Sequence, residues 1–116
     1  MAFDRKIFFS FIIKTTGEVV RAMPDGEEFS VQQIRDYVAG RPQVICETCD
    51  EFLLFRNRDA GCEGLPLNPL ATSVYTKYAR RPCAVSGRVF LAHPDHVPAY
   101  WRRTLHTGTV HSLGAA

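Results

Sequence analysis

The chain has 116 residues, 46% hydrophobic and 22% charged, which suits one globular domain with a real core. A net charge of +2 is too small to mark a nucleic-acid binder, and the arginine pairs Arg80-Arg81 and Arg102-Arg103 read as solvated surface, so nucleic acid is not an expected partner. No run approaches the roughly 18 apolar residues of a membrane span. The apolar stretch Ile7–Ile13 is short, lacks a small-residue cleavage site and is closed by Lys14. A cytoplasmic setting is therefore expected, with the four cysteines as thiols or metal ligands rather than disulfides.

Lys6 to Lys14 is rich in β-branched and aromatic residues and predicts a strand, whose unbroken apolar character places it centrally in a sheet. Thr15-Thr16-Gly17 signals a turn, and Glu18 to Arg21 reads as the partner strand of a hairpin. Pro24-Asp25-Gly26 is a second turn. Ser30-Val31-Gln32-Gln33 is a capping box, with Phe29 and Ile34 placed to form a hydrophobic staple. Val31, Ile34 and Val38 then share one helical face, and Gly40 and Pro42 supply the stop. Gln43 to Cys46 and Glu51 to Phe55 read as strands around Thr48-Cys49-Asp50, followed by a polar loop from Asn57 to Gly64.

A second helix opens at Asn68-Pro69. Asn68 caps by accepting a backbone N–H, and Pro69 sits where a missing donor costs nothing. The helix is expected from about Pro69 to Tyr78, with Leu70, Val74 and Tyr78 toward the core and Pro82 ending it. Ala84 to Ala92 reads as a last strand in which Gly87 marks a bulge or a close backbone approach. Residues 102–116 read as a flexible tail, leaving one domain over 1–101. The order ββ-α-ββ-α-β predicts an α+β fold, a mainly antiparallel sheet of about five strands covered by two helices. In the alternative arrangement the last strand inserts beside the first and makes one parallel pair.

Three pieces of the chain resemble a family found in phages and plasmids and catalogued as domain of unknown function 3846. They are Ile12-Ile13-Lys14-Thr15-Thr16-Gly17-Glu18-Val19-Val20, then Arg58-Asp59-Ala60-Gly61 leading into Gly64-Leu65-Pro66-Leu67-Asn68 and Ala71-Thr72, and Val85-Ser86-Gly87-Arg88-Val89-Phe90. The middle piece is the specific one. The resemblance implies a mobile-element setting and a compact α+β domain, and it implies no catalytic residues.

Cys46-Glu47-Thr48-Cys49 and His93-Pro94-Asp95-His96 offer two thiolates and two imidazoles, with Cys62 or Cys83 as substitutes, for a tetrahedral zinc site. The histidine spacing is shorter than usual, and the plainer interpretation makes Cys46 a small core residue and the histidines part of a Pro-rich turn. A redox role would place the cysteine pair at a helix N-terminus, not between strands. Asn57, Arg58 and Asp59, with Glu63 and the capping Asn68, form a polar loop before a helix and offer a small-nucleotide site, although no Lys-Ser/Thr follows the glycines as in a P-loop. The plainer interpretation is a loop with a good N-cap. Ser73 and Ser86 have no neighbouring histidine in the chain, and no catalytic residue is named. Tyr75, Tyr100, Trp101 and Arg102 are of the types that anchor interfaces, or else Trp101 closes the core.

The expectation is a non-catalytic binding or interaction module for protein partners, self-association included. A zinc-binding domain and a small-nucleotide-binding protein or enzyme are the alternatives. No cofactor is expected apart from the zinc of the first alternative.

Overall fold

The computed structural model describes residues 9–79 and 83–104. In chain order these form β1 (Ser10–Ile13), β2 (Val19–Ala22), α1 (Val31–Val38), β3 (Pro42–Glu47), β4 (Leu53–Asn57), α2 (Pro69–Ala79), β5 (Val89–Ala92) and a single 3-10 turn (Pro94–His96). Residues 100–104 are helical as well. The five strands make one sheet in the order β2-β1-β5-β4-β3. Every neighbouring pair is antiparallel, which establishes the α+β class.

The last strand does insert beside the first, but antiparallel to it. Val85 lies beside the N-terminal end of α2. There the Val85 N–H donates to Thr72 Oγ1 at 2.9 Å and the Asn68 N–H donates to Val85 O at 2.8 Å. β5 therefore starts at the end of the sheet where β4 stopped. Gly87 sits at φ +80°, and a Cβ there would lie 2.9 Å from Leu65 Cδ1. This close approach shortens the last strand from the expected Ala84–Ala92 to Val89–Ala92.

Both sheet faces are covered, which explains the unbroken apolar runs of the central strands. On one face Phe29, Ile34 and Val38 pack on Val44, Leu53, Phe55, Phe90 and Ala92. On the other, Ala71 of α2 packs with Ile13, Cys46, Leu54, Val85 and Val89. Val44 and Cys46 are two residues apart yet belong to opposite layers. A register irregularity between them, with Val44 opposite Phe55 and Cys46 opposite Leu54, reverses the alternation.

The α1 capping box forms as expected, the Gln33 N–H donating to Ser30 Oγ and the Ser30 N–H to Gln33 Oε1, each at 3.1 Å. Two details differ. Ala39, at φ 58°, takes the left-handed C-cap position in place of Gly40. Gly40 is needed for room instead, because a Cβ there would meet Asn57 Nδ2 at 2.5 Å. Val31, expected on the buried face, is 46% exposed. In α2 the inward face is Ala71, Val74, Tyr75 and Tyr78, while Leu70 is 39% exposed. The helix is rotated so that its smallest residue touches the sheet.

The expected tail begins with structure. The Trp101 N–H donates to Pro98 O at 3.2 Å and the Arg103 N–H to Ala99 O at 3.3 Å. Trp101 meets the Phe55 ring edge-on at a centroid distance of 5.1 Å, closing the α1-side core. Residues 105–116, the start of the first predicted strand before Phe9, and the Pro82 stop lie outside the described residues.

Candidate functional site

The polar loop after β4 is held by two buried amides. Asn57 donates through Nδ2 to Ala39 O at 3.1 Å and to Glu63 Oε1 at 3.0 Å, and its Oδ1 accepts from the Asp59 N–H at 2.8 Å. Asn68 donates through Nδ2 to Ile13 O at 3.0 Å and to Gly87 O at 2.9 Å, while Oδ1 accepts from the Ala71 N–H at 3.1 Å. Each amide has spent both protons, so neither has one left for a ligand. Asn68 thus caps α2 and also ties it to the end of β1 and to Gly87 just before β5. Beside Asn57, Arg41 grips Asp59 with two bonds at 2.9 and 2.8 Å. This hydrogen bonding holds the Asp59 carboxyl below its usual range and raises Arg41. The Arg58 side chain is exposed.

Arg88, named above only within the last piece of the resemblance and given no role there, completes this end of the molecule. Its guanidinium donates to Tyr37 O at 2.6 Å and Asp36 O at 2.7 Å, closing the C-terminus of α1 with positive charge where the helix dipole is negative. Its position directly after a glycine was the one available cue. An open groove of about 470 Å³ lies alongside, lined by Gln32, Arg35, Asp36, Ala39, Gly40 and Arg41.

The cysteines and histidines fall in different layers. Cys46 is buried on the α2 side, and burial pushes its thiol up to about 11, so it is a neutral core residue near pH 7. Cys49 is exposed in the β3–β4 turn, its Sγ 4.0 Å from the Tyr78 hydroxyl. Cys62 and Cys83 are exposed. His96 is buried beside Phe29 of the α1-side core, ring centroids 5.7 Å apart, and its ring stands 5.3 Å from that of His93. Among the described residues no three His, Cys, Asp or Glu side chains gather where they could hold a metal ion.

The contact that sequence separation concealed joins Ser10 and His96. Ser10 Oγ lies 2.9 Å from His96 Nδ1, and the same oxygen accepts from the His93 N–H at 2.9 Å. A hydroxyl has one proton and two acceptor lone pairs, so Ser10 can bond either tautomer of His96 while it accepts from His93. Ser10 is fully buried, and the pair ties β1 to the turn after β5.

The aromatic candidates also divide. Tyr75 is half-buried in the α2 layer. In the C-terminal segment Tyr100 stacks on Trp101 with centroids 5.0 Å apart, and Arg102 pairs with Glu47 of β3 at 3.0 Å. A different apolar group is open to solvent. Val19, Leu67 and Leu70 are 48%, 51% and 39% exposed. Val19 pairs with Ile13, so it points to the α2-side face, and Leu67 and Leu70 flank the Asn68 that binds Ile13 O. On the same face Arg21, paired with Phe11, stands over the Phe9 ring at 4.7 Å. Among the described residues β2 adds nothing to the α2-side core, so this corner of the sheet is left uncovered. Comparison with protein-family models, with curated proteins and with solved structures finds no match to the chain.

Proposed function

We propose that the protein is a non-catalytic interaction module whose partner at its uncovered sheet corner is a second copy of its own chain. The observation that carries the proposal is the exposure of Val19, on the edge strand β2, and of Leu67 and Leu70, which flank the Asn68 bound to Ile13, the β1 partner of Val19. An edge strand presents unpaired N–H and C=O groups, and apolar side chains next to it add area to the pairing. The corner is rigid because Asn68 fixes it to Ile13 of β1 and to Gly87 just before β5. Rigidity lowers the ordering cost of association. The arrangement favours a symmetric pair, in which one patch serves both partners. The phage and plasmid setting implied by the resemblance belongs to this proposal, as does a place in the cytoplasm.

Hydrogen exchange at several protein concentrations tests it. Amides of Val19 to Ala22 are expected to gain protection as concentration rises from nanomolar to tens of micromolar. Protection that is independent of concentration would refute the second copy as partner.

A further inference from the structure

The side chain of an aspartate or asparagine can be attacked by the backbone nitrogen of the next residue. The reaction needs that N–H unheld and the local chain free to fold back. Five aspartates and two asparagines fall among the described residues, and six of these seven are protected. Tyr37 follows Asp36 inside α1, where its N–H belongs to the helix ladder. After Asp50 the Glu51 N–H donates to Thr48 O at 2.9 Å, and after Asn57 the Arg58 N–H donates to Arg41 O at 2.8 Å. After Asp59 the Ala60 N–H donates to Asn57 O at 3.1 Å, and after Asp95 the His96 N–H donates to His93 O at 2.9 Å. Asn68 is followed by Pro69, which has no N–H to lose.

Asp25 is the exception. Asp25 and Gly26 are both exposed, in the bend between β2 and α1. The Gly26 N–H makes no hydrogen bond among the described residues. The Asp25 carboxylate makes neither a hydrogen bond nor an ion pair there, and acts through its charge alone, on Tyr37. A Cβ built on Gly26 would meet nothing within 4 Å, so the space for a rotating side chain is open. The bend is held at its ends instead. Ala22 pairs with Ser10, and the Phe29 N–H donates to His96 O at 2.8 Å.

We propose that Asp25-Gly26 is a modification site, where the folded chain forms isoaspartate and so presents a carboxylate that a methyltransferase can esterify. The Gly26 nitrogen attacks Asp25 Cγ in its protonated carboxyl form. A C–N bond forms, the nitrogen gives up its proton, and the carboxyl hydroxyl leaves as water, giving a cyclic imide. Water then opens the ring. Attack at Cγ restores aspartate. Attack at the main-chain carbonyl breaks the original peptide C–N bond and leaves the chain running through Cβ and Cγ, with the former main-chain carbonyl as a free carboxylate. Net charge and mass are unchanged, and the backbone gains one methylene in an exposed bend. Methyl transfer from the sulfonium of S-adenosylmethionine to that carboxylate releases S-adenosylhomocysteine and gives an ester. Glycine is the residue that makes the first step accessible, because it lacks the Cβ that would crowd the approach.

The untagged protein should be incubated warm in mildly acidic buffer beside a synthetic peptide spanning Ala22 to Phe29 and a Gly26→Val variant. Isoaspartate is counted by methyl transfer from labelled S-adenosylmethionine with a purified isoaspartyl carboxyl methyltransferase, and located by fragmenting peptides in a mass spectrometer. Because the bend is unheld, conversion at Asp25 in the folded protein is expected within about threefold of the peptide rate. The other six positions should stay unconverted, with far-UV circular dichroism retained. Gly26→Val should cut conversion by about tenfold, since a branched Cβ blocks the approach. A folded-state rate slower than the peptide by more than that threefold margin, or conversion appearing first at one of the other six positions, would overturn the proposal. If Gly26→Val does not fold, the ratio of parent to peptide decides alone.

Discussion

Replacing Asn68 by aspartate separates its two jobs. On an isolated helix the two residues cap almost equally well, so a residue that only capped α2 would tolerate the change. Asn68, however, is fully buried and directs both Nδ2 protons to the carbonyls of Ile13 and Gly87. Aspartate keeps the acceptor for the Ala71 N–H but turns an oxygen toward those two carbonyls. Each carbonyl left without a donor costs about 1–3 kcal/mol, so Asn68→Asp should lose about 3–5 kcal/mol at pH 7 once the buried charge is included. Asn68→Ala should lose a similar amount, about 1 kcal/mol of it from the cap. The gap between Asn68→Asp and the parent should narrow as pH falls toward 4. A carboxyl buried against carbonyls has a raised folded-state pKa, so its penalty appears only as pH rises above the unfolded value. Urea unfolding with an unchanged slope gives these differences. Asn68→Asp within about 0.5 kcal/mol of the parent at pH 7 would refute the reasoning, because it would reduce the residue to a cap.

Other consequences follow from the same contacts. Gly40→Ala forces a methyl against the Asn57 amide and should cost about 1–3 kcal/mol, whereas Ala39→Gly relieves the left-handed C-cap and should gain about 0.5–1 kcal/mol, both read from urea midpoints. Arg88→Met removes two charged bonds from the end of α1 and should cost about 1–2 kcal/mol, with hydrogen exchange speeding up first in α1. Iodoacetamide at pH 8 should modify Cys49, Cys62 and Cys83 while Cys46 stays protected until the protein unfolds, as peptide mass spectrometry would report.

Local signals in the chain were legible where a short motif sets the backbone. Ser30 to Gln33 forms the capping box, and Asn68-Pro69 opens α2 where these residues indicate. The unbroken apolar run of Lys6 to Lys14 correctly places β1 inside the sheet. What escaped depends on partners far along the chain. The direction of β5 is set by Val85 lying beside the N-terminal end of α2, which no residue pattern records. Ser10 and His96 are 86 residues apart, and the serine is hidden in an apolar run. Gly40 looked like a helix stop because glycine serves both as a cap and as a gap for close approach, and only the position of Asn57 distinguishes the two. The polar loop looked like a ligand site because Asn, Arg and Asp suit ligands and loop scaffolds equally. Its amides are occupied by backbone carbonyls and by Glu63.

The central claim is that the uncovered corner around Leu67 joins two copies of the chain. Native mass spectrometry of the untagged protein at low micromolar concentration, beside a Leu67→Glu variant, tests it most directly. The account predicts twice the chain mass for the parent and a single chain for Leu67→Glu, with circular dichroism unchanged between them. A single-chain parent carrying a metal ion or a bound molecule of several hundred daltons would contradict it.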